Sequence, residues 1–131
     1  MGLHRKHIIT INKPATDSSG SEVITGCGGR PAWFYVSAVD SANDKFNSDG
    51  WDDGVDAICN FSIEQNVLTT LLGAVVGATI SRKSDSYSLN ITNGGNGWTA
   101  KVSAQDVDGF TIAWTKIGAG RNIKVKILMV L

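Results

Sequence analysis

The C-terminal part of the chain alternates apolar and polar residues with a period of two, through four successive runs. Only half-buried strands satisfy that pattern. Tyr87, Leu89 and Ile91 fall on one side, with Ser86, Ser88 and Asn90 on the other. Trp98, Ala100, Val102 and Ala104 then face Thr99, Lys101 and Ser103, and Phe110, Ile112 and Trp114 alternate with Thr111, Ala113 and Thr115. The last run sets Ile123, Val125, Ile127, Met129 and Leu131 against Lys124 and Lys126, then against Leu128 and Val130. Its end is thus apolar on both sides, which calls for cover by a second sheet or another chain. Asn93-Gly94-Gly95-Asn96-Gly97, Asp108-Gly109 and Gly118-Ala119-Gly120 supply turn chemistry between the runs. The expectation is an antiparallel meander over residues 86–131.

The first half is less regular but still strand-like. Candidate strands are 7–12, 21–27, 32–38 and 56–63, with a polar turn at 13–20 and a long polar loop at 40–54. Pro31 precedes Trp33-Phe34-Tyr35-Val36, where a missing N–H does no harm. Within 67–80, Leu68, Leu71, Leu72 and Val75 fit a helical period, whereas Ala74-Val75-Val76 and Ala78-Thr79-Ile80 suit a strand. The segment is therefore expected to be a short helix or loop leading into a strand at about 75–82. Around nine short strands without a linker predict one antiparallel β-sandwich or jelly-roll-like domain over 1–131, with a short N-terminal arm at about 1–7.

Composition narrows the function classes. With 131 residues, 42% of them hydrophobic, the chain can build a core without metals or a disulfide framework. Twelve basic against twelve acidic residues leave no basic excess for nucleic acid. The only basic cluster is His4, Arg5, Lys6 and His7. The most apolar stretch, 67–80, is broken by Thr69, Thr70, Gly73, Gly77 and Thr79 and is too short to span a bilayer. No apolar signal-peptide core follows Lys6, and Lys6 itself spoils the myristoylation pattern begun by Met1-Gly2. Synthesis in a cytosol without export is the expectation.

Chemistry-bearing residues are few. His4 and His7 lie at the N-terminus, where fraying disfavours a catalytic base. No nucleophile elbow, P-loop or metalloprotease helix motif is present. Cys27 and Cys59 lack the second pair or spaced histidines of a zinc site; they read as buried small hydrophobes, a disulfide, or a reactive thiol. The densest carboxylates are Asp49, Asp52, Asp53 and Asp56. They read as turn-forming residues of a solvated loop, as a hard-cation site, or as a catalytic dyad. The expectation is no enzyme activity and no cofactor.

Of the four tryptophans, Trp98 and Trp114 fall on the apolar side of their strands and are expected in the core. Trp33 sits in a continuous apolar run and is also expected to be buried. Trp51 stands in a polar, glycine-flanked stretch, so it is either an exposed anchor or a plug folded over the sandwich end.

Three segments together carry a family resemblance. Gly29-Arg30-Pro31-Ala32-Trp33-Phe34-Tyr35-Val36 resembles a G-F-x-P lead into an aromatic strand, with Arg30 where an aromatic residue is typical. Ser48-Asp49-Gly50-Trp51-Asp52-Asp53-Gly54 resembles a small-residue G-x-x-D-G loop, and 108–116 resembles the closing hairpin of the same group. In this order, over about 24–131, they resemble the small β-sandwich proteins and modules of tailed-bacteriophage virions. The resemblance implies a structural protein on the capsid surface: a decoration (cement) protein binding the major capsid protein, commonly as a homotrimer. The alternative it allows is a tail or fibre module that binds a host-surface glycan or protein. The interface candidates are Arg5 and Lys6 in the arm, Trp51, and Leu128 and Val130 in the last strand.

Overall fold

The computed structural model describes residues 5–43, 45–69 and 74–131. Ten strands appear in chain order: β1 (Lys6–Lys13), β2 (Gly20–Ile24), β3 (Trp33–Asp40), β4 (Asn47–Asp52), β5 (Ala57–Thr69), β6 (Ala74–Ser84), β7 (Leu89–Asn93), β8 (Asn96–Asp106), β9 (Gly109–Ile117) and β10 (Ile123–Val130). They form a six-stranded sheet of order β1-β10-β3-β4-β5-β6 and a four-stranded sheet of order β2-β9-β8-β7. All pairings are antiparallel. The architecture is the expected all-β sandwich.

The core is what the alternation dictates. Phe34 and Val36 of β3 and Val125, Ile127 and Met129 of β10 meet Leu89, Ile91, Val102, Phe110 and Ile112 of the other sheet. Phe34 and Phe110 touch across the sandwich, with ring centroids 4.7 Å apart. Trp98 and Trp114 are buried as expected. Each satisfies its indole N–H, Trp98 on the Arg121 carbonyl and Trp114 on the Glu22 carboxylate. The Lys13 ammonium caps the pair, 4.9 Å from both ring centroids.

Several expectations are corrected. The meander holds for β7, β8 and β9, but β10 leaves that sheet and pairs with β1 and β3. The turn at Gly118-Ala119-Gly120 is therefore a crossing between sheets, not a hairpin. Segment 67–80 supplies no helix: β5 runs to Thr69 and β6 starts at Ala74, in a register that pairs Val67 with Val76. β-branched residues on both strands favour that pairing over a helical period; residues 70–73 lie outside the described residues. At the N-terminus, ladder pairing begins at Lys6, so Lys6 and His7 belong to β1 opposite Val130 and Met129 and not to a frayed arm.

The polar loop expected at 40–54 contains a whole strand. β4 alternates as strictly as any other, but its inward residues are Ser48, Gly50 and Asp52, so hydropathy does not reveal it. These small and polar residues let the two sheets approach closely. A Cβ on Gly50 would lie 1.9 Å from the Ser88 carbonyl oxygen, so only glycine fits. Ser48 Oγ accepts the Asn90 N–H at 3.1 Å, and Asp52 accepts the Val102 N–H at 2.8 Å. Hydrogen bonds here replace the hydrophobic packing used elsewhere between the sheets.

Candidate functional site

The outer face of the six-stranded sheet is the surface most unlike an ordinary solvated one. Strand registers align Ile8 with Leu128, Leu128 with Tyr35, Tyr35 with Trp51, and Trp51 with Ile58. These five residues form one row across five strands, roughly 19 Å long at the usual spacing between strands. None of them is charged. Ile8 is 62% exposed, Trp51 49% and Ile58 54%. Trp33 adjoins the row, with its ring centroid 5.3 Å from that of Trp51.

The next row on the same face is polar: Thr10, Lys126, Ser37, Asp49, Asn60 and Lys83 follow one another through the same ladders. One contact joins the rows, the Tyr35 hydroxyl donating to Asp49 Oδ1 at 3.0 Å. Desolvation first, and then this hydrogen bond and the Asp49 charge, push the Tyr35 phenol above its ordinary pKa. Tyr35 also packs on Trp51, with centroids 4.9 Å apart and planes 60° apart. Contacts on both sides thus fix the Tyr35 ring.

Two shallow grooves flank Trp51. One, of about 580 Å³, is lined by Asp49, Trp51, Ile58, Asn60, Lys83 and Asp85 among others. The other, of about 420 Å³, lies between Trp33, Trp51 and Ile58 and is bordered by Asp52, Asp53 and Asp56. Trp51 and Ile58 together form the wall they share. Trp51 is exposed on the sheet face, so the alternative of a plug folded over the sandwich end does not hold.

Trp33 corrects its expectation, being 37% exposed and not core. In Trp33-Phe34-Tyr35-Val36 both phases of the strand are apolar, so no contrast marks which faces inward. Phe34 and Val36 take the core, and Trp33 and Tyr35 are left outside. Leu128 and Val130 lie on the outer face too, beside Tyr35 and Trp33 in the ladder. Leu128 is half-buried and Val130 buried. The two-sided apolar end of β10 is thus covered in part by its own sheet. Arg5 is exposed and its guanidinium donates to the Gly28 carbonyl at 2.8 Å, while Lys6 is exposed on β1.

The four carboxylates of the acidic segment are not brought together. Asp49 faces outward from β4, and Asp52 faces inward. Asp53 caps the β4–β5 turn, Oδ1 accepting the N–H groups of Val55 at 2.8 Å and Asp56 at 2.7 Å. These bonds hold the Asp53 carboxyl below its ordinary pKa. Turn chemistry describes the segment, and among the described residues no three His, Cys, Asp or Glu side chains gather as a metal site. Cys27 and Cys59 are buried free thiols, their pKa values raised mainly by desolvation, so the disulfide alternative does not hold. His7 lies on the core-facing phase of β1 opposite Met129, and His4 is outside the described residues.

Sequence reasoning singled out Trp51 but missed Trp33, Tyr35, Ile8 and Ile58 as its companions. Their strands were legible. That they lie in one row was not, because the row is made by pairing between segments far apart in the chain. No protein-family model, curated protein or solved structure matches the chain.

Proposed function

We propose that the chain is a non-enzymatic structural protein of a tailed-phage virion, a capsid decoration protein that binds and stabilises the assembled shell as a homotrimer. The observation that carries this reading is the uncharged row Ile8, Leu128, Tyr35, Trp51 and Ile58, open on the outer sheet face. Interface cores are depleted of charge and enriched in tyrosine and tryptophan, and a row of this kind has that composition. The Trp33 and Trp51 planes are tilted 43° from each other, a relief that suits a protein surface better than a flat polysaccharide ribbon. The resemblance of segments 29–36, 48–54 and 108–116 to virion β-sandwich proteins supports a place on the virion. The mechanism is mass action: a protein that binds only the assembled shell shifts the equilibrium toward that shell.

The experiment adds purified protein to undecorated capsids. Saturable binding and a higher shell-disruption temperature are expected, with Trp51→Ala weakening binding by about thirtyfold as a central aromatic anchor. Binding to host cells with no binding to any shell transfers the chain to the alternative, a tail or fibre module recognising a host-surface glycan or protein. The observation favouring that alternative is the groove where Asp49, Asn60 and Lys83 set polar groups beside an exposed indole.

A further inference from the structure

Beyond the identity of the surface lies the chemistry of what it receives. Resting on the reading of the outer sheet face as a docking surface, we infer that the groove between Trp33, Trp51 and Ile58 receives an arginine side chain of the partner protein. The groove walls are two indoles and an aliphatic side chain, and its border carries Asp53 and Asp56. Aromatic walls with carboxylates at the rim complement a flat cation with an apolar stem. A guanidinium stacks on an indole face, donates in a fork to a carboxylate, and carries a three-methylene stem suited to Ile58.

The geometry decides where the guest lies. Trp33 and Trp51 have ring centroids 5.3 Å apart, and inserting a plane between two rings requires roughly 7 Å, or two van der Waals spacings. The guanidinium therefore rests on the open side of the pair, within the groove. Asp52 takes no part, since its oxygens are committed to the N–H groups of Val102 and Gly54 inside the sandwich. Asp53 is ionised at neutral pH, being stabilised by two turn N–H groups, and Asp56 is exposed beside it. Lys101 Nζ donates to the Val55 carbonyl of the same turn at 3.0 Å, and its charge adds to the stabilisation of the ionised Asp53. The turn N–H groups use only Oδ1 of Asp53, and both Asp53 and Asp56 border the groove.

The test titrates N-acetyl-arginine amide into the purified full chain, following tryptophan fluorescence and the indole N–H signals by NMR. N-acetyl-glutamine amide and maltotriose serve as parallel probes. Weak saturable binding of the arginine probe is expected, with the Trp33 and Trp51 signals shifting and those of buried Trp98 and Trp114 unmoved. Trp51→Ala should weaken it about fivefold or more. Asp56→Asn, which removes a charge while keeping the backbone N–H and carbonyl that bond Asp53, should weaken it severalfold. Salt should weaken it too, since screening shortens from roughly 30 Å to 8 Å between about 0.01 and 0.15 M. An arginine probe that leaves the exposed indoles unmoved, or binds Trp51→Ala equally well, overturns the inference. So does maltotriose binding at these indoles in its place. Shell binding without arginine binding overturns this inference alone, whereas arginine binding without shell binding overturns the decoration reading and leaves the groove's specificity standing.

Discussion

The carboxylate of Asp52, in β4, accepts the backbone N–H of Val102, in the opposite sheet, at 2.8 Å. Val102 adjoins a register shift in β8, between Val102 and Ala104. A buried carboxylate thus ties the two sheets beneath the exposed row that contains Trp51.

Stability should depend on pH through this residue. Burial raises the Asp52 pKa above 3.8, outweighing the N–H bonds from Val102 and Gly54 that lower it. A raised pKa means that the folded chain binds this proton more tightly than the unfolded chain. The contribution is therefore full below pH 3.8 and is lost as pH rises through the folded value. Asp52→Ala leaves the Val102 N–H unsatisfied and should cost about 2 kcal/mol at neutral pH. The cost should grow as pH falls toward 4, measured as the difference in urea-unfolding free energy between wild type and variant. A cost that shrinks on acidification would show that the carboxylate, and not the acid, is the favoured folded form.

At Gly50 the sheets approach closely, and its requirement is steric. An added Cβ meets the Ser88 carbonyl oxygen at 1.9 Å and the Ile58 carbonyl oxygen at 2.8 Å, both backbone atoms that no rotamer change can move. Gly50→Ala should cost about 3 kcal/mol or more, read as a lowered denaturation midpoint or failure to fold. An unchanged midpoint would mean that the sheets separate freely at β4.

Thr99 carries the opposite prediction. Its side chain is buried, and its Oγ1 is the one buried side-chain polar atom without a hydrogen-bond partner among the described residues. Thr99→Val keeps the shape and removes the desolvated hydroxyl, so it should be neutral or stabilising by about 1 kcal/mol in thermal unfolding. A loss of more than about 1 kcal/mol would reveal a partner for the hydroxyl.

Legibility followed contrast. Strands β8 and β9 were plain because Trp98, Val102, Ile112 and Trp114 alternate with polar neighbours. Strand β4 was hidden because its inward phase is serine, glycine and aspartate, residues that ordinarily mark a loop. Trp33 and Tyr35 were hidden for the reverse reason, since both phases of β3 are apolar there. The alternation places β10 in the meander, and the structure moves it to the other sheet because Gly118-Ala119-Gly120 serves a crossing as well as a hairpin.

Alternation and turn chemistry alone specify an all-β sandwich, put Trp98 and Trp114 in its core, and mark Trp51 as a candidate anchor. A period of two says which residues of one strand share a side, and it says so locally. Which strands lie side by side, and hence that Ile8, Leu128, Tyr35, Trp51 and Ile58 make one row, is fixed by the pairing of distant segments in three dimensions. Register between distant segments is set by the packing of their buried faces, and the exposed row is fixed by what lies beneath it.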